Sequence, residues 1–192
     1  ICNNLNNRGF NVKCFQLLLD NYDNISNCVN EIQTEFKKSI SILINNAAVA
    51  QEKDFESISF LDWDIMLKTN LQGPFHLTQL LIPSMISNSF GKIVNITSIG
   101  GQWGGFNQVH YAASKAGLIS LTMSTAKIYS KHNINCNAIA VGLVQTDMTT
   151  NELSTKNGID KVKNIPIGRI GTTNDVAETV NYLISEESSY IT

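Results

Sequence analysis

The sequence has no long hydrophobic run and no marked excess of charge of either sign. Its longest apolar stretches, such as "ISILI" and "LLIPSMI", are much shorter than the ~20 residues that a helix needs to cross a bilayer. The 14 basic residues are balanced by 16 acidic ones, so the chain offers no basic surface of the kind that binds nucleic acid. We therefore expect a protein that binds neither a membrane nor nucleic acid.

Cysteine is scarce and unclustered. The four cysteines, Cys2, Cys14, Cys28 and Cys136, form no C-x-x-C pair, and none lies beside a histidine. Structural metal sites need such clusters of ligands. We expect reduced, partly buried thiols and no metal site.

The remaining composition is that of an ordinary globular protein. The 192 residues are 43% hydrophobic and 16% charged, which is sufficient for one domain with its own core. No linker, internal repeat or low-complexity segment divides the chain, so we expect a single domain over residues 1–192. No signal peptide is visible, and we expect a cytoplasmic protein, although a start at Ile1 leaves room for a lost organelle-targeting leader.

Runs of apolar residues alternate with segments of helical periodicity. The runs predict strands over 12–19, 39–47, 91–98 and 134–142. The periodic segments predict helices over 24–38, over 60–87 with a kink or break near Pro83, around Tyr111 to about Lys131, and over 173–185. This alternation is typical of parallel βαβ units and predicts a three-layer α/β fold.

Polar residues follow three of the predicted strands. They are "NNAA" at 45–48, "TS" at 97–98 and "VGLVQTDM" at 141–148. Because parallel sheets bind their ligands beyond the carboxyl ends of the strands, these segments are expected to meet at one crevice.

Tyr111 and Lys115 are spaced four residues apart in "HYAASKAG", which places them on one face of a helix. A phenol with a pKa of ~10 exchanges protons poorly at neutral pH, and a nearby ammonium lowers that pKa. Ser98 ends the preceding strand and can supply a hydroxyl to the same substrate oxygen. The pair alone is also compatible with a tyrosine packed near a surface lysine, and it is Ser98 and the "NNAA" turn that favour the catalytic interpretation.

Together these motifs resemble the classical branch of the short-chain dehydrogenase/reductase family. "YAASK" resembles its Tyr-x-x-x-Lys motif, Ser98 lies at the expected distance upstream, "NNAA" resembles its Asn-Asn-Ala-Gly motif, and Asn70 lies in "KTNLQGPF". The resemblance extends over essentially the whole chain, and "IPIGRIGTTNDVA" is similar to the 3-oxoacyl-[acyl-carrier-protein] reductase group. It implies a Rossmann-type, doubly wound parallel sheet that binds NAD(P).

The resemblance also implies catalytic roles. Tyr111 would protonate a carbonyl oxygen, and Ser98 would donate a hydrogen bond to it. Lys115 would lower the tyrosine pKa and hold the nicotinamide ribose. Asn70 would position a water that links Lys115 to solvent.

Further contacts follow from the same resemblance. Asn46 and Ala47 would line the cofactor crevice, Val144 and Thr146 would meet the nicotinamide carboxamide, and the Leu19 backbone would lie at the adenine.

Trp103, Phe106 and His110 lie near the predicted substrate side of the site. Trp103 and Phe106 would cover the substrate, with surface-loop packing as the alternative. His110 is expected to be a residue of the helix start rather than a second acid.

The chain also departs from the family pattern. The first strand, the glycine-rich phosphate loop, the second strand and the final strand of the family have no counterpart. The glycine cluster at 100–105 does not replace the phosphate loop. We expect an incomplete record of a normal enzyme, with a truncated, inactive product as the alternative. The residues that determine the choice between NADP and NAD lie in those segments, so the sequence does not predict it. The resemblance slightly favours NADP.

The resemblance implies a reductase of 3-oxoacyl thioesters or related ketones in fatty acid biosynthesis, with acyl carrier protein as an expected partner. Ser89 and His132 stand where carrier-binding arginines are common, which weakens that expectation. A sugar, polyol or other secondary-alcohol dehydrogenase and a catalytically silent cofactor-binding module are the alternatives. Helices 60–87 and 107–131 resemble those that form homodimers or homotetramers in the family.

Overall fold

The protein is described by a computed structural model that covers residues 2–147, 149 and 156–192. Its strands are β1 (Ile42–Asn45), β2 (Gly91–Ser98) and β3 (Ile134–Val141). Its helices are α1 (Cys2–Asn7), α2 (Tyr22–Phe36), α3 (Phe60–Leu67), α4 (Gly73–Ser87), α5 (Gly100–Trp103), α6 (Val109–Tyr129), α7 (Lys156–Lys163) and α8 (Thr173–Ile184). Short 3₁₀ turns occupy Phe55–Ser57, Ser130–His132 and Glu186–Ser188.

The three strands form one parallel sheet in the order β1-β2-β3. Asn45 lies opposite Asn95, and Ser98 lies opposite Val141. The strands therefore deliver their carboxyl ends to the same edge of the sheet, where we expect the site.

Side chains of β2 alternate between two helical layers. Ile93 belongs to the core that α2 and α4 share with the sheet, and Asn95 donates to Thr122 of α6. Lys92 points to the opposite face, where its Nζ lies 3.4 Å from the Ser188 hydroxyl, just after α8. Helices on both faces of a parallel sheet confirm the predicted three-layer α/β fold.

The core lies between the sheet and the layer of α2, α4 and α6. Its members share nearly complete burial and mostly aliphatic side chains: Ile25, Val29, Leu77, Leu81, Ile82, Met85, Ile93, Ala126, Ile134 and Cys136. The helical periodicity of α2 places Ile25 and Val29 on one face, which is why a 15-residue helix forms there.

The strand predicted over 12–19 is wrong. No strand is assigned at these residues, and the described part of the chain contains no strand beside them to complete a ladder. Asparagine side chains hold the backbone instead, since Val12 N donates to Asn6 Oδ1 and Leu18 N donates to Asn24 Oδ1. Leu17 and Leu19 pack against the core, which explains the apolar pattern without a strand.

The prediction of four reduced thiols is wrong for two of them. Cys2 and Cys14 form a disulfide, because the contacts between Asn6 and Val12 turn the chain back on itself. Cys28 and Cys136 are free and buried, as predicted. Burial raises the pKa of the Cys136 thiol to about 12, so it remains protonated.

The helix predicted over 60–87 is interrupted at a different place from the one expected. A π turn over Lys68–Gln72 separates α3 from α4, whereas α4 continues through Pro83 to Ser87. The π turn contains the buried Asn70, and such turns are frequent at functional sites.

Helix α6 is the longest described helix, with 21 residues, and its buried face is unusually polar. It includes His110, Ser114, Lys115, Thr122 and Thr125. None of the described helices is long and apolar enough to span a bilayer.

Candidate active site

A cavity of about 760 Å³ opens at the carboxyl ends of the strands. Seven residues predicted from the sequence line it: Asn46, Ala47, Ser98, Tyr111, Lys115, Val144 and Thr146. The structure therefore brings together segments that are separated by up to a hundred residues, because each follows a strand or lies on the helix that follows β2.

Ser98 and Tyr111 both line this cavity, and the Ser98 hydroxyl is near enough to the phenol to affect its pKa. Ser98 ends β2, and its Oγ also accepts from Gly100 N over 3.1 Å, which fixes the hydroxyl at the strand end. Burial raises the pKa of Tyr111, and the nearby Ser98 hydroxyl partly opposes this rise. The tyrosine is therefore a protonated phenol at neutral pH.

Lys115 lies one helical turn beyond Tyr111 and is only 2% exposed. Its Nζ donates to Ile96 O over 2.8 Å and lies 5.7 Å from the centre of the Tyr111 ring. Burial lowers the pKa of Lys115 to about 8. The expected lowering of the tyrosine pKa by Lys115 is not seen in this arrangement, in which burial of the phenol is the larger influence.

Asn70 lies behind the cavity rather than in its wall, with 1% of its surface exposed. Its Oδ1 accepts from Val49 N over 2.9 Å, and its Nδ2 donates to Val49 O over 2.8 Å and to Ser114 Oγ over 3.2 Å. The side chain thus ties the turn after β1 to α6. Its role with a water remains a prediction.

Three predicted contact residues lie outside the cavity wall. Leu19 packs against the core, and its carbonyl lies beside Gly73. Trp103 is 80% exposed and Phe106 is 100% exposed. The contacts of these residues with cofactor or substrate therefore remain predictions.

Thr149 is a cavity residue that the sequence reasoning missed. Its Oγ1 donates to Val144 O over 2.6 Å and accepts from Thr146 N over 3.0 Å, so it closes the loop that carries both predicted residues. The threonine directly after "QTDM" is the signal that could have indicated it. Thr173, Val176, Ala177 and Val180 of α8 also line the cavity.

The cavity fits the nicotinamide half of a dinucleotide. Lys115 provides buried ammonium hydrogens beside Tyr111, and a Cβ added at Gly142 would meet no atom within 4 Å, so the wall after β3 is open. The glycine cluster at 100–105 is not part of the cavity wall.

Gly101 permits the close approach of α5 to α6. A Cβ at this position would lie 2.8 Å from the Lys115 carbonyl carbon and 2.9 Å from Ala116 N, and neither backbone atom can move aside freely. Gly101→Ala should therefore displace α5 and with it Ser98, at a cost of roughly 1–3 kcal/mol in the free energy of unfolding. Thermal unfolding and kcat measure the two effects.

Gly105→Ala is the matched control for this prediction. Its Cβ would meet Gln108 Cβ at 3.6 Å, an ordinary contact, and we expect no loss. Equal stability of the two alanine variants would contradict the steric argument.

A parallel sheet whose strand ends open on a Ser–Tyr–Lys cavity is the arrangement of a Rossmann-type α/β domain with its ligand site at the switch between strands. Residues 1–157 match the protein family described as short chain dehydrogenase. The chain belongs to the short-chain dehydrogenase family, as its motifs predict.

Proteins similar to the chain include two 3-oxoacyl-[acyl-carrier-protein] reductases. The protein from Thermotoga maritima is 38% identical over 170 residues, which are 88% of this chain and 68% of the relative. The protein from Aquifex aeolicus is 44% identical over 153 residues, or 80% of this chain and 61% of the relative. A human (3R)-3-hydroxyacyl-CoA dehydrogenase is 37% identical over 166 residues, or 85% and 63%.

A solved structure gives an independent comparison. It is described as a candidate NAD(P)-dependent gluconate 5-dehydrogenase from Beutenbergia cavernae, with NADP bound at low occupancy. It superposes with a TM-score of 0.93 at 26% identity, over 99% of this chain and 76% of the solved chain. The chain thus spans between 61% and 76% of the length of these relatives.

Proposed function

We propose that the protein is an NAD(P)-dependent oxidoreductase that reduces a carbonyl to a secondary alcohol. The observation that carries the proposal is the convergence of Ser98, Tyr111 and the buried Lys115 on one cavity, where the Ser98 hydroxyl is near enough to the Tyr111 phenol to lower its pKa. A hydroxyl pair beside a buried cation is suited to hold and protonate one oxygen atom.

Tyr111 is proposed as the acid. When bound, the nicotinamide supplies the hydride that reduces the carbonyl carbon. Tyr111 donates its phenolic proton to the carbonyl oxygen, and Ser98 donates a hydrogen bond to that oxygen. The raised pKa of Tyr111 supports this direction, because the phenol carries its proton at neutral pH.

Lys115 is proposed to stabilise the phenolate that remains on Tyr111. Its pKa of about 8 leaves the ammonium as the main form at pH 7. One of its three hydrogens is donated to Ile96 O, so two are available for ribose hydroxyls.

Asn70 is proposed to act in proton return. Because its side-chain amide is already bonded to Val49 and Ser114, a water at this position would be held by the main chain of the π turn.

We propose NADP or NAD as cofactor, with NADP favoured because the solved relative carries it. Asn46 and Ala47 would form one wall of the nicotinamide pocket, and Val144 and Thr146 would form the other. Their convergence on one cavity supports this assignment.

The substrate is proposed to be a 3-oxoacyl thioester or a related ketone, carried by acyl carrier protein or coenzyme A. The two bacterial reductases and the human dehydrogenase support it through their sequence similarity over more than three quarters of this chain. Oxidation of a sugar acid or polyol is the second candidate, because the gluconate dehydrogenase candidate has the same fold with a TM-score of 0.93.

We also propose that the protein is a homodimer or homotetramer. Large apolar side chains remain exposed on α3, α4 and α6: Phe60, Leu61, Ile65, Phe75, Met123 and Ile128. Such faces are typical of surfaces that are covered by another subunit.

The activity test uses the protein with its native flanking sequence. We expect oxidation of NADPH, followed at 340 nm, when acetoacetyl-CoA is added, and slower reduction of NADP with gluconate. A faster reaction with gluconate would favour the second candidate. Cofactor binding without turnover of either substrate would favour the silent module.

A further inference from the structure

His110 is a buried titratable residue beside the proposed acid, and the proposed mechanism does not use it. It lies in the first turn of α6, directly before Tyr111, and is 0% exposed. Its Nε2 lies 3.0 Å from Gln51 Oε1. Its Nδ1 is buried and has no hydrogen-bond partner among the described residues.

The Gln51 amide determines which imidazole nitrogen carries the proton. Gln51 Nε2 donates to Asp62 Oδ1 over 2.9 Å, so the carbonyl oxygen of the amide faces His110 and accepts from Nε2–H. Burial lowers the pKa of His110, Asp62 raises it and Lys53 lowers it, and the result is a neutral ring with a bare Nδ1 at pH 7.

Gln51 is itself fixed from its other side. The Asp62 carboxylate that accepts its amide hydrogen also forms a 2.6 Å ion pair with Lys53 and takes part in the capping box at the start of α3. The backbone adds a second connection, since Lys53 N donates to Asn107 O over 2.7 Å. The segment between β1 and α3 is therefore joined to the start of α6.

The buried imidazole of His110 lowers the stability of the fold in a way that an apolar side chain would not. An unpaired buried acceptor such as Nδ1 is unfavourable, and leucine would fill a similar space without one. The contribution that distinguishes His110 from leucine is therefore its single hydrogen bond to Gln51.

We propose that the His110–Gln51 hydrogen bond is a positioning contact for Tyr111. It fixes the first turn of α6 against the segment that follows Asn46 and Ala47, and so keeps the Tyr111 hydroxyl at Ser98. Asn46 and Ala47 at the proposed cofactor pocket and the proposed acid Tyr111 are then held in a fixed relative position. This inference rests on the proposed reductase function.

The test is a double-mutant cycle in the protein with its native flanking sequence. His110→Leu and Gln51→Leu should each lower kcat for acetoacetyl-CoA by about tenfold, with KM little changed, because small displacements of an acid are costly. The double variant should fall no further, since both substitutions break the same bond. His110→Gln offers an amide N–H at a similar reach and should recover most of kcat.

Gln108→Leu is the matched control. Its side chain also joins the two segments, through a 3.4 Å contact with Glu52, but on the exposed surface, and we expect unchanged kcat. Additive losses in the cycle, or wild-type kcat in Gln51→Leu, would overturn the inference.

Hydrogen exchange separates this inference from the proposed function. The Ala112 amide donates to Gln108 O in the first turn of α6, over 2.8 Å. Its exchange should become several-fold faster in both leucine variants of the cycle and remain unchanged in Gln108→Leu. Absence of turnover in the wild type would refute the proposed function alone. Unchanged exchange in the cycle variants would refute the positioning contact.

Discussion

Removal of the Tyr111 hydroxyl should eliminate most of the turnover. In Tyr111→Phe the ring remains near Lys115, whose Nζ lies 5.7 Å from its centre, so the change removes the proton donor and little else. A positioned acid contributes ~10²–10⁴-fold, and we expect kcat to fall by that factor while KM for the ketone is largely retained. Steady-state kinetics with acetoacetyl-CoA and NADPH measures both quantities.

Tyr129→Phe is the matched control on the same helix. Tyr129 ends α6 and packs against the core, far along the helix from the cavity. Its variant should retain wild-type kcat. A Tyr111→Phe variant that turns over at the wild-type rate would remove Tyr111 from the mechanism.

The central strands, and the approach of Ser98 to Tyr111, could be predicted from the sequence. In these segments the local hydrophobic pattern agrees with the burial that the structure shows. Segment 91–98 was predicted as a strand and forms β2 over Gly91–Ser98, since its neighbours on both sides provide hydrogen bonds for an apolar run. Ser98 and Tyr111 meet because one ends this strand and the other lies at the start of the helix that returns along the sheet. Because Ser98 and Tyr111 are close in sequence, their proximity can be predicted from the sequence alone.

The segment before α2 could not be predicted in the same way. An apolar run such as 12–19 indicates burial. A strand also needs a neighbouring strand to satisfy its backbone hydrogen bonds, and the described residues provide none for this segment. The disulfide between Cys2 and Cys14 likewise depends on the conformation of the intervening turn. The spacing of the two cysteines does not predict that conformation.

Contacts that depend on side-chain direction were also beyond the sequence. The motif identifies Asn70, but its hydrogen bonds to Val49 and Ser114 follow from the π turn. No sequence pattern predicts such a turn. The bond from Thr149 to Val144 O depends on the path of a loop. These contacts follow from the three-dimensional path of the backbone and not from a local sequence pattern.

A buried chain of polar side chains crosses the core beneath the site and was not predicted. Asn45 Nδ2 donates to Asn95 Oδ1 over 2.7 Å, and Asn95 Nδ2 donates to Thr122 Oγ1 over 2.8 Å. Thr122 in turn donates to Leu118 O over 2.7 Å. The chain of hydrogen bonds connects β1, β2 and α6 through buried side chains.

Asn95→Leu should destabilise the protein by roughly 2–4 kcal/mol. The branched shape of the side chain is kept, but the Asn45 amide loses its acceptor in the core and two hydrogen bonds disappear. Urea unfolding measures the change in free energy. Asn137→Leu on β3 is the control, because Asn137 also donates one amide hydrogen, to Ile191 O over 2.9 Å, but at an exposed position, and it should cost less than about 1 kcal/mol.

The double variant Asn45→Leu/Asn95→Leu distinguishes an unpaired polar group from a general loss of packing. If the cost of Asn95→Leu comes from the stranded Asn45 amide, removing that amide as well should recover part of the stability. Losses that add fully would contradict this explanation. Because Asn45 directly precedes Asn46 and Ala47 at the cavity, the recovered variant should still show a lower kcat/KM: the polar chain fixes the strand end from which the cofactor wall is built, and a stable apolar substitute does not.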